Sequence, residues 1–501
     1  MPTSRPPDRL AVPALAAAGG AVVFAVLATL NAGGYRYGAS DQAFYIPAIL
    51  HQLDPALYPR DWAMLGAQGR FFFADEIFAA LVRSTGLGLP VWFAVAQLAT
   101  LGVLYWGALS LGRTCLASPW ALTAWMAALT LRHRIAKTGA NTLEGYFHPR
   151  MLVFGLGLTS LALYLRGRPW WALALALASG VLHPTTAALF VALLLIATAV
   201  SEPGARAPLA LAALGAAVAA AAAVALGLFD VSTMDARWRD LVGTKDYVFP
   251  TRWSPGTWAI NLLGPAVIVL VLSRRRAAGA AGTREIGLAA GGLALVAGFL
   301  LTLPAIAGGV ALAVQLQTSR VFWPVEIVAT LFLVRWLADS WGSRPPLRWT
   351  ALALVALSLG RGAYVTGVEH SAREAVRVDL PENDWTRALE WIRTRTPREA
   401  FVLADPGHAW KPGMGTAVRI GAERDVFLED TKDVAMALYS RDTAHRVADR
   451  IGQAGAAVSG DAAAVTALAR QAGLTVLATD RTLDLPELYR SGGIRVYALP
   501  P

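Results

Sequence analysis

The sequence predicts a mainly α protein, a polytopic bundle of transmembrane helices followed by a small C-terminal α/β domain. Of its 501 residues, 55% are hydrophobic, and the mean hydropathy is +0.47, which is far above that of a soluble domain. The apolar residues come in runs of roughly 15–25, the length with which a helix crosses a hydrocarbon core of about 30 Å. After about residue 366 these runs stop and charged residues return. We therefore predict a membrane domain over 1–366 and a soluble α/β domain over 367–501.

The apolar runs predict about eleven membrane spans. The least certain region is 169–200, where His183–Pro184 interrupts one apolar stretch. A single helix of this length would measure about 48 Å at 1.5 Å per residue, so two helices that turn at His183–Pro184 fit a bilayer better. Segment 71–82 is shorter and carries Asp75 and Glu76, which favours an interfacial helix. The predicted spans are 11–31, 88–111, 116–131, 151–166, 169–182, 185–200, 207–229, 257–273, 285–304, 319–338 and 348–365.

The positions of basic residues predict the orientation of the bundle. Compact arginine-rich loops at 166–168, 274–276 and 335–348 contain few acids, which is typical of cytoplasmic loops. An odd number of spans then places the N-terminus in the cytoplasm and the C-terminal domain outside it. We therefore expect a multi-pass protein of the cytoplasmic (inner) membrane. The outer loops include 31–87, 132–150, the turn at His183, 230–256 and 305–320.

Charge and cysteine content exclude several classes of protein. The formal net charge of +10 comes almost entirely from arginines that are scattered among short loops. Membrane topology and anionic lipids explain this pattern better than nucleic acid, so no nucleic-acid partner is expected. The single cysteine, Cys115, excludes an internal disulfide and a cysteine-based metal cluster.

No convincing small-residue cleavage site follows the first apolar run, so we expect an uncleaved first helix.

The C-terminal part alternates helical and strand-like patterns, which is typical of a small α/β domain. Segment 384–395 places Trp385, Leu389 and Ile392 on one face of a helix that Asn383 or Asp384 can cap. No phosphate-binding glycine signature is present, because 413–416 lacks a third glycine and a preceding strand. Further predicted elements are strands at 401–404, 425–428, 474–479 and 494–499 and helices at 434–453 and 462–472.

The first outer loop, 31–87, carries the first candidate for chemistry. Its first half is too polar for lipid and too rich in aromatic and aliphatic residues for a solvated linker, so we expect it at the membrane surface. Asp41 follows the first span closely, and desolvating a carboxylate there is costly. It either caps a local helix over 41–53 or serves as an active-site base. Asp54 and Asp61 flank prolines, so turn-forming and capping roles explain both.

Other polar groups lie at the outer ends of predicted spans. A histidine at a helix end is more often hydrogen-bonded than a ligand, and an arginine there is ordinarily an interfacial anchor. On the predicted topology, however, all of them share one membrane face with Asp41. Arginine binds phosphate oxygens in a fork, and a carboxylate can take a proton from a hydroxyl group. These groups are Glu144, His148, Arg150, His183 and Arg320.

No cofactor is assigned from these residues. Asp41 and Glu144 could bind a divalent metal together with either His148 or His183. No spacing of ligands along the chain supports such a site.

The pattern resembles the GT-C class of polytopic glycosyltransferases, which use lipid-linked sugars. The matching features are an acid in a long first outer loop, short loops elsewhere, about eleven spans and a small α/β domain at the end. Within this class the chain is similar to uncharacterised bacterial members, including mannosyltransferase-like ones, which implies a bacterial cytoplasmic (inner) membrane. The resemblance covers nearly the whole chain. The sequence motifs that it shares with these members are Asp54-Pro-Ala-Leu-Tyr-Pro-Arg-Asp61-Trp, Gly145-Tyr-Phe-His-Pro-Arg150 and Trp391-Ile-Arg-Thr-Arg-Thr-Pro397.

The resemblance implies a function. In the GT-C class an acid of the first outer loop is the base for attack on a sugar carried by polyprenyl phosphate or diphosphate, and only Asp41 matches that position. Many members have two adjacent acids there, whereas this chain has Ser40-Asp41-Gln42, so the resemblance does not extend to a metal-assisted mechanism. The expected activity is transfer of a sugar from a polyprenyl-phosphate-type donor to a glycan or lipid acceptor on the extracytoplasmic face.

Two other functions remain open at this stage. One is a non-catalytic assembly or structural protein of the same fold, which the sequence does not distinguish from the enzyme. The other is a lipid or solute transporter, for which we would expect inverted repeats and polar residues at mid-membrane depth. Here the apolar runs are uninterrupted and the polar groups lie at their ends.

Overall fold

The structure is a computed structural model that describes residues 12–69, 73–342, 344–411, 413–430 and 432–500. Proline opens many of the helices, because its fixed φ suits the first turn and its missing N–H would have no partner there. The membrane part contains α1 (Ala14–Asn31), α2 (Gln42–Leu53), α3 (Trp62–Gly69), α4 (Ala74–Thr85), α5 (Leu89–Cys115), α6 (Pro119–Thr130), α7 (Pro149–Leu165), α8 (Pro169–Ala178), α9 (Pro184–Ser201), α10 (Arg206–Ala225), α11 (Ala236–Val242), α12 (Pro255–Ala277), α13 (Thr283–Ala307), α14 (Ala311–Gln315), α15 (Phe322–Trp341) and α16 (Pro345–Tyr364).

The chain is a multi-pass membrane protein. Among the described residues, eight helical segments are long and apolar enough to cross a membrane by length and composition. Pro149–Leu165 and Pro169–Val181 are shorter apolar helices, and α6 has only 12 residues. Within the described residues every predicted span lies on a helix; residue 11, the first of span 11–31, is outside them. The count of eleven is confirmed only in part, because these three helices are short for a bilayer.

The predicted break at His183–Pro184 is confirmed. A 3₁₀ turn over Ser179–Val181 follows α8, and α9 begins at Pro184. The His183 ring accepts a hydrogen bond from the Thr186 backbone N–H at 3.4 Å, which caps α9. The histidine therefore has a structural role in addition to any functional one.

Small residues allow the long helices to pack closely. A Cβ on Gly107 of α5 would lie 2.5 Å from the carbonyl oxygen of Gly155 in α7. A Cβ on Gly291 of α13 would lie 2.4 Å from the Leu193 carbonyl oxygen of α9. Such close backbone contacts are typical of helix pairs in membranes, where van der Waals packing drives association.

The C-terminal part contains a small sheet with helices packed on it. The elements are β2 (Val376–Arg377), α17 (Asp384–Arg395), β3 (Phe401–Ala404), α18 (Val418–Gly421), β4 (Asp425–Val426), α19 (Asp433–Met436), α20 (Arg441–Ser459), α21 (Ala462–Ala472), β5 (Val476–Thr479), β6 (Glu487–Ser491) and β7 (Ile494–Ala498). Among the described residues, the strand order is β4-β3-β5-β7-β6, in which β3 pairs in parallel with β4 and β5, and β7 pairs antiparallel with β5 and β6.

Most C-terminal elements agree with the sequence, with two corrections. The predicted helix over 434–453 is two helices, because Ser440 leaves the helical region and caps α20 through a bond from Thr443 N–H. Strand β6 was not predicted, since it lies at the sheet edge and its side chains are mostly exposed, which weakens the apolar alternation. Residues Trp385, Leu389 and Ile392 are buried on one face of α17 as predicted.

The C-terminal part is joined to the outer loops. One buried apolar cluster includes Trp238 and Ile306 of the membrane part together with Phe427 and Leu438. The Trp238 Nε1–H donates to the Ala437 carbonyl oxygen at 2.8 Å. The division at 366/367 stays a prediction, but the two parts pack against each other in the described structure.

The first outer loop forms α2, α3 and α4. Helix α4 corresponds to the interfacial helix that was predicted over 71–82, of which Phe71 and Phe72 lie outside the described residues. A two-residue strand, β1 (Tyr35–Arg36), pairs in parallel with β2, which the sequence did not predict.

Candidate functional site

Asp41 lies at the N-cap position of α2, but its side chain does not cap the helix. The side chain makes no capping hydrogen bond, so the capping interpretation is wrong for the carboxylate. Gln42 stabilises this turn instead, because its Oε1 accepts a hydrogen bond from Gly38 N–H at 2.7 Å. Its Nε2 donates to the Phe147 carbonyl oxygen at 3.0 Å. The loop is therefore held against the segment that precedes α7.

The carboxylate of Asp41 is surrounded by donors. Its Oδ2 accepts from Tyr146 Oη at 2.9 Å and lies 3.3 Å from His148 Nε2 and 3.7 Å from Arg150 Nη2. Its Oδ1 accepts from the Lys432 ammonium group. Both oxygens thus have partners, while 19% of the side chain is exposed. The carboxylate is therefore largely, but not completely, shielded from solvent.

The hydrogen bonds of His148 determine its tautomer. Its Nδ1 accepts from the Arg150 backbone N–H at 3.2 Å, since His148 is the N-cap of α7. The proton of a neutral ring must then reside on Nε2, the atom that faces Asp41. Burial, followed by the charge of Arg150, lowers the pKa of His148. The ring is therefore neutral near pH 7 and donates to the carboxylate.

Glu144 and Arg150 form the second layer of the site. The Arg150 guanidinium forms a buried ion pair with Glu144, and Tyr146 Oη also lies 3.4 Å from Glu144 Oε1. Arg150 thus lies between the carboxylates of Glu144 and Asp41. An arginine between two carboxylates fixes their positions and prevents their mutual repulsion.

His183 and Arg320 extend the site away from Asp41. The rings of His183 and His148 meet edge to face, with centroids 5.8 Å apart. Burial, followed by the nearby charges of His148, Arg320 and Arg150, holds the pKa of His183 well below its usual range. Among the described residues, Arg320 has no carboxylate oxygen within 4.0 Å, and its Nε lies 3.5 Å from the Thr138 carbonyl.

Lys432 is the site residue that sequence reasoning missed. It comes from the C-terminal part, 391 positions after Asp41. The chain contains very few lysines, but a lone lysine in a soluble-looking segment gives no signal of a long-range contact. Tyr146 was also not assigned a role, although it lies in the segment that we singled out.

The charged groups of the site carry an excess positive charge that an anion could neutralise. Burial raises the pKa of Asp41, but Lys432, His148 and Arg150 outweigh it and hold the pKa well below its usual range. With Glu144 paired to Arg150 and Asp41 paired to Lys432, Arg320 is a cation in excess among these described groups. A phosphate would compensate its charge.

A basic cleft adjoins the Arg320 side of the site. Its volume is about 620 Å³. Arg320 contacts Thr138 in the loop that forms one of its walls. Lys137 pairs with Asp246 across the cleft. Its lining residues include Arg134, Lys137, Asn141, Lys245, Asp246 and Tyr247.

Asp75 is a second buried carboxyl group near the site. It lines a small cavity of about 10 Å³ with Tyr45, Phe147 and Pro149, and its Oδ1 has no partner among the described residues. Burial, followed by the charge of Glu76, raises the pKa of Asp75 to about 8. The group is therefore protonated near neutral pH, in contrast to Asp41.

Asp54 and Asp61 have different roles. Asp54 accepts from Ala56 N–H at 3.2 Å, which is the expected turn. The capping role predicted for Asp61 is wrong: its buried Oδ2 lies 2.7 Å from Arg419 Nε and accepts from Val426 N–H at 3.1 Å. The sequence could not show this, because the partner lies in the C-terminal part.

The arrangement provides no ready metal site. No group of three or more His, Cys, Asp or Glu residues within the described ranges is arranged to hold a metal ion. Around Asp41 the neighbouring atoms are mainly donors from Lys432, Tyr146, His148 and Arg150. Donors at these positions suit an anion and not a cation.

Comparison with known proteins gives distant structural neighbours. No protein-family model matches the chain, and no curated protein matches it. The archaeal oligosaccharyltransferase AglB from Archaeoglobus fulgidus, in complex with an inhibitory peptide and a dolichol-phosphate, is similar over 93% of this chain and 69% of its own, with 12% identity and a TM-score of 0.46. The apo form of the Archaeoglobus fulgidus oligosaccharyltransferase is similar over 93% and 70%, also with 12% identity and a TM-score of 0.46.

Proposed function

We propose that the chain is an integral-membrane glycosyltransferase that moves a sugar from a polyprenyl-phosphate-type lipid donor to a glycan or lipid acceptor on the extracytoplasmic face. One observation carries the proposal. The carboxylate of Asp41 lies within reach of Lys432, His148 and Arg150, at the end of apolar helices and beside a basic cleft. An acid and several cations at a membrane boundary suit transfer from a phosphate-linked lipid.

The proposed roles follow from the bonds that form and break. The acceptor oxygen bonds to the anomeric carbon of the sugar, and its proton passes to Asp41. The bond between that carbon and the phosphate oxygen breaks, and the polyprenyl phosphate leaves with the electron pair. Arg150, Lys432 and Arg320 would stabilise the growing negative charge on the phosphate, which is ordinarily the largest catalytic contribution.

Lys432 determines when Asp41 can act as a base. A carboxylate whose pKa is held far below neutrality by an ammonium group is a poor proton acceptor. The donor phosphate competes with Asp41 for the same ammonium group. Transfer of Lys432 to the phosphate would raise the pKa of Asp41 and free Oδ1 for the acceptor hydroxyl. Donor binding would thereby activate the base.

The basic cleft is the proposed place for the polar part of a substrate. Its volume of about 620 Å³ is in the range of ordinary ligand sites. Arg320 contacts Thr138 in the loop that lines the cleft, and both Arg320 and Asp41 act electrostatically on the lining residue Tyr247. A sugar phosphate held here would have its phosphate near Arg320.

The topology is part of the proposal. The site lies where the first outer loop meets the C-terminal part, as the pairing of Asp41 with Lys432 illustrates. The arginine-rich loops on the opposite ends of the helices favour the cytoplasm for those ends. The domain over 367–501 would then be extracytoplasmic. A periplasm-specific reporter fused after Pro501 should be active, and activity of only a cytoplasmic reporter would overturn this topology.

A non-catalytic membrane protein is the second candidate. The observation that favours it is the full set of partners on Asp41, because a purely structural ion-pair cluster would also satisfy both oxygens. The partial exposure of Asp41 and the adjoining cleft are not needed for that role. A transporter is less well supported, since the polar groups lie at helix ends.

Replacement of Asp41 tests the function. We expect Asp41→Asn to fold, bind a polyprenyl-phosphate hexose and lose transfer by about 10²–10⁴-fold, the usual contribution of a general base. Transfer of labelled sugar and donor binding should be measured on the same purified protein in lipid nanodiscs. Asp54→Asn is the matched control, because Asp54 forms a turn.

The possible outcomes separate the candidates. Normal transfer by Asp41→Asn together with an inactive Glu144→Gln variant would place the base elsewhere. Absence of both donor binding and transfer in the native protein, across a panel of polyprenyl-phosphate sugars, would favour the non-catalytic candidate.

A further inference from the structure

A group of arginines meets where the first and the last membrane helices end. The parallel pairing of β1 with β2 places Arg36 directly opposite Arg377. Arg132 and Arg373 act electrostatically on Arg36, and Arg361 acts on Arg132. We call Arg36, Arg132, Arg361, Arg373 and Arg377 the junction arginines. Like charges directly opposite each other destabilise a strand pair, so this pairing needs compensation.

The described residues do not supply that compensation. None of them places a carboxylate oxygen within 4.0 Å of a junction arginine. Of the two acids that act on the group, Glu144 is committed to Arg150, and Glu374 acts on Arg377 only from a distance, without an ion pair. The Nη1 of Arg361 donates to Asn31 O at 2.8 Å and to Asn31 Oδ1 at 2.9 Å, and both acceptors are neutral. The positive charge of the group is therefore not neutralised within the described structure.

Two of the guanidinium groups have buried atoms without partners. The Nε atoms of Arg36 and Arg377 are buried and make no hydrogen bond within the described residues. A buried donor without an acceptor is unfavourable, and a charged one is more so. Burial, followed by the charges of Arg373, Arg377 and Arg132, lowers the pKa of Arg36 to about 10. Both observations favour an anionic ligand at this place.

The backbone does not allow the arginines to separate. Gly33 and Gly34 have φ of +82° and +92°, and a Cβ on Gly34 would lie 2.3 Å from the Ala375 carbonyl oxygen. Tyr35 N–H donates to the same carbonyl at 2.8 Å, and Tyr37 N–H donates to Arg377 O at 3.1 Å. The two chain segments are therefore fixed against each other, and the charges stay together.

The surroundings indicate which anion would fit. Helix α1 ends at Asn31 and α16 ends at Tyr364, so the junction arginines lie at the end of two packed membrane helices. Apolar side chains near them are exposed on β2 and just after α16, namely Val376 and Val368. Further along, α1 and α16 present Val26 and Leu357 on their exposed surfaces. A phosphate with apolar chains attached would satisfy both the charges and this surface.

We propose that the junction arginines bind the phosphate of an anionic membrane phospholipid, whose acyl chains lie along the exposed apolar surface of α1 and α16. Guanidinium groups bind phosphate oxygens in a fork, and basic pockets at helix ends are a recurrent form of lipid recognition. The bound lipid would hold the start of the C-terminal part to the first outer loop. The proposal does not depend on glycosyl transfer.

The test compares an anionic lipid, a zwitterionic lipid and free phosphate. Full-length protein in phosphatidylcholine nanodiscs should gain about 2–4 °C in Tm when phosphatidylglycerol is added, because a ligand of the folded state stabilises it. Arg36→Gln and Arg377→Gln should lose at least half of this gain. Arg276→Gln is the matched control, since Arg276 is an exposed arginine at the opposite end of a membrane helix, and it should keep the gain.

A second readout separates lipid binding from a merely structural role. In phosphatidylcholine alone, Arg36→Gln should melt no lower than the native protein, because it relieves repulsion, whereas a structural arginine would lower Tm in both lipids. Should Arg36→Gln fail to fold, Arg373→Gln gives the same comparison at an exposed side chain. Retention of the full gain by these variants would overturn the site. An equal gain with inorganic phosphate at the same concentration would overturn the lipid and leave a soluble anion.

Discussion

Two clusters of charged side chains join the first outer loop to the C-terminal part, and they differ in solvent exposure and in how completely their charges are paired. In the first, Asp41 pairs with Lys432. In the second, Arg419 Nε lies 2.7 Å from Asp61, and its Nη1 lies 3.1 Å from Glu429 and 2.6 Å from Asp433. The Arg419 cluster is closed, with side chains at most 3% exposed, whereas Asp41 is 19% exposed.

The difference shows which cluster is structural and which is available for chemistry. Arg419 makes four hydrogen bonds to carboxylates through Nε, Nη1 and Nη2, so four of its five N–H donors are already used. The Asp41 cluster has Arg320 in excess and a cleft beside it. In the Arg419 cluster the charges are paired with one another, which holds the side chains in one arrangement. In the Asp41 cluster a cation can release a protein carboxylate and bind a substrate phosphate in its place.

The largest expected effect on stability lies in the closed cluster. Arg419→Met keeps much of the side-chain volume but leaves three buried carboxylates without their cation, which typically costs about 3–5 kcal/mol. We expect a strongly lowered Tm or loss of folded protein. The control is Asp41→Asn, which should melt close to the native protein. A stable Arg419→Met together with an unstable Asp41→Asn would reverse the comparison.

The next effect concerns donor binding in the open cluster. Arg150→Ala and Arg320→Ala should each weaken binding of a polyprenyl phosphate by about 2–5 kcal/mol, since each removes a desolvated cation from the proposed phosphate site. Arg320→Lys should restore binding only in part, because lysine offers a point charge and not a fork. Binding should be measured with folded protein in nanodiscs. Unchanged affinity in both alanine variants would make these arginines interfacial anchors.

Asp75 tests what burial does to a carboxyl group without a cation. Its folded pKa is about 8 and its ordinary value is 3.8, so the folded state holds a proton that the unfolded state has lost. Stability should therefore fall as pH rises between about 4 and 8, by up to about 1.4 kcal/mol per pH unit. Asp75→Asn should flatten this decline in Tm, whereas Glu76→Gln at the exposed neighbouring position should flatten it much less, because it removes only the smaller of the two causes of the raised pKa. A parallel decline in Asp75→Asn would contradict the assignment.

The smallest effect concerns the proposed transfer of the Lys432 ammonium group from Asp41 to the donor phosphate. Lys432→Met should raise the donor KM about tenfold, or about 1.4 kcal/mol. It should also raise the pKa of Asp41, so that the acidic limb of the rate profile moves to higher pH. Lys411→Met is the control, because Lys411 pairs with Asp405 elsewhere in the C-terminal part. An unchanged KM and an unchanged profile would show that Lys432 has no part in the reaction.

The sequence by itself determined the membrane part and most of the local elements. The length of the apolar runs positioned the helices, because a bilayer leaves few other solutions for an apolar chain. Proline and histidine marked the break at His183–Pro184, and apolar spacing marked α17. These signals are local, since they depend on residues within a few turns of one another. The convergence of Asp41, Glu144, His148 and Arg150 could also be anticipated, because each follows or precedes a predicted span on the same side.

Only the tertiary structure decided which partners these groups have. The pairing of Lys432 with Asp41, of Arg419 with Asp61 and of Arg36 with Arg377 joins residues that are more than 300 positions apart. No local pattern encodes such pairs, because an isolated lysine or arginine looks the same whether it faces water or a buried carboxylate. The physical reason is that the effect of a charge depends on its burial and on the charges around it, and not on residue type alone. Asp75 and Asp41 are both aspartates of the first outer loop, yet one is protonated and the other ionised, because only Asp41 has cations within reach.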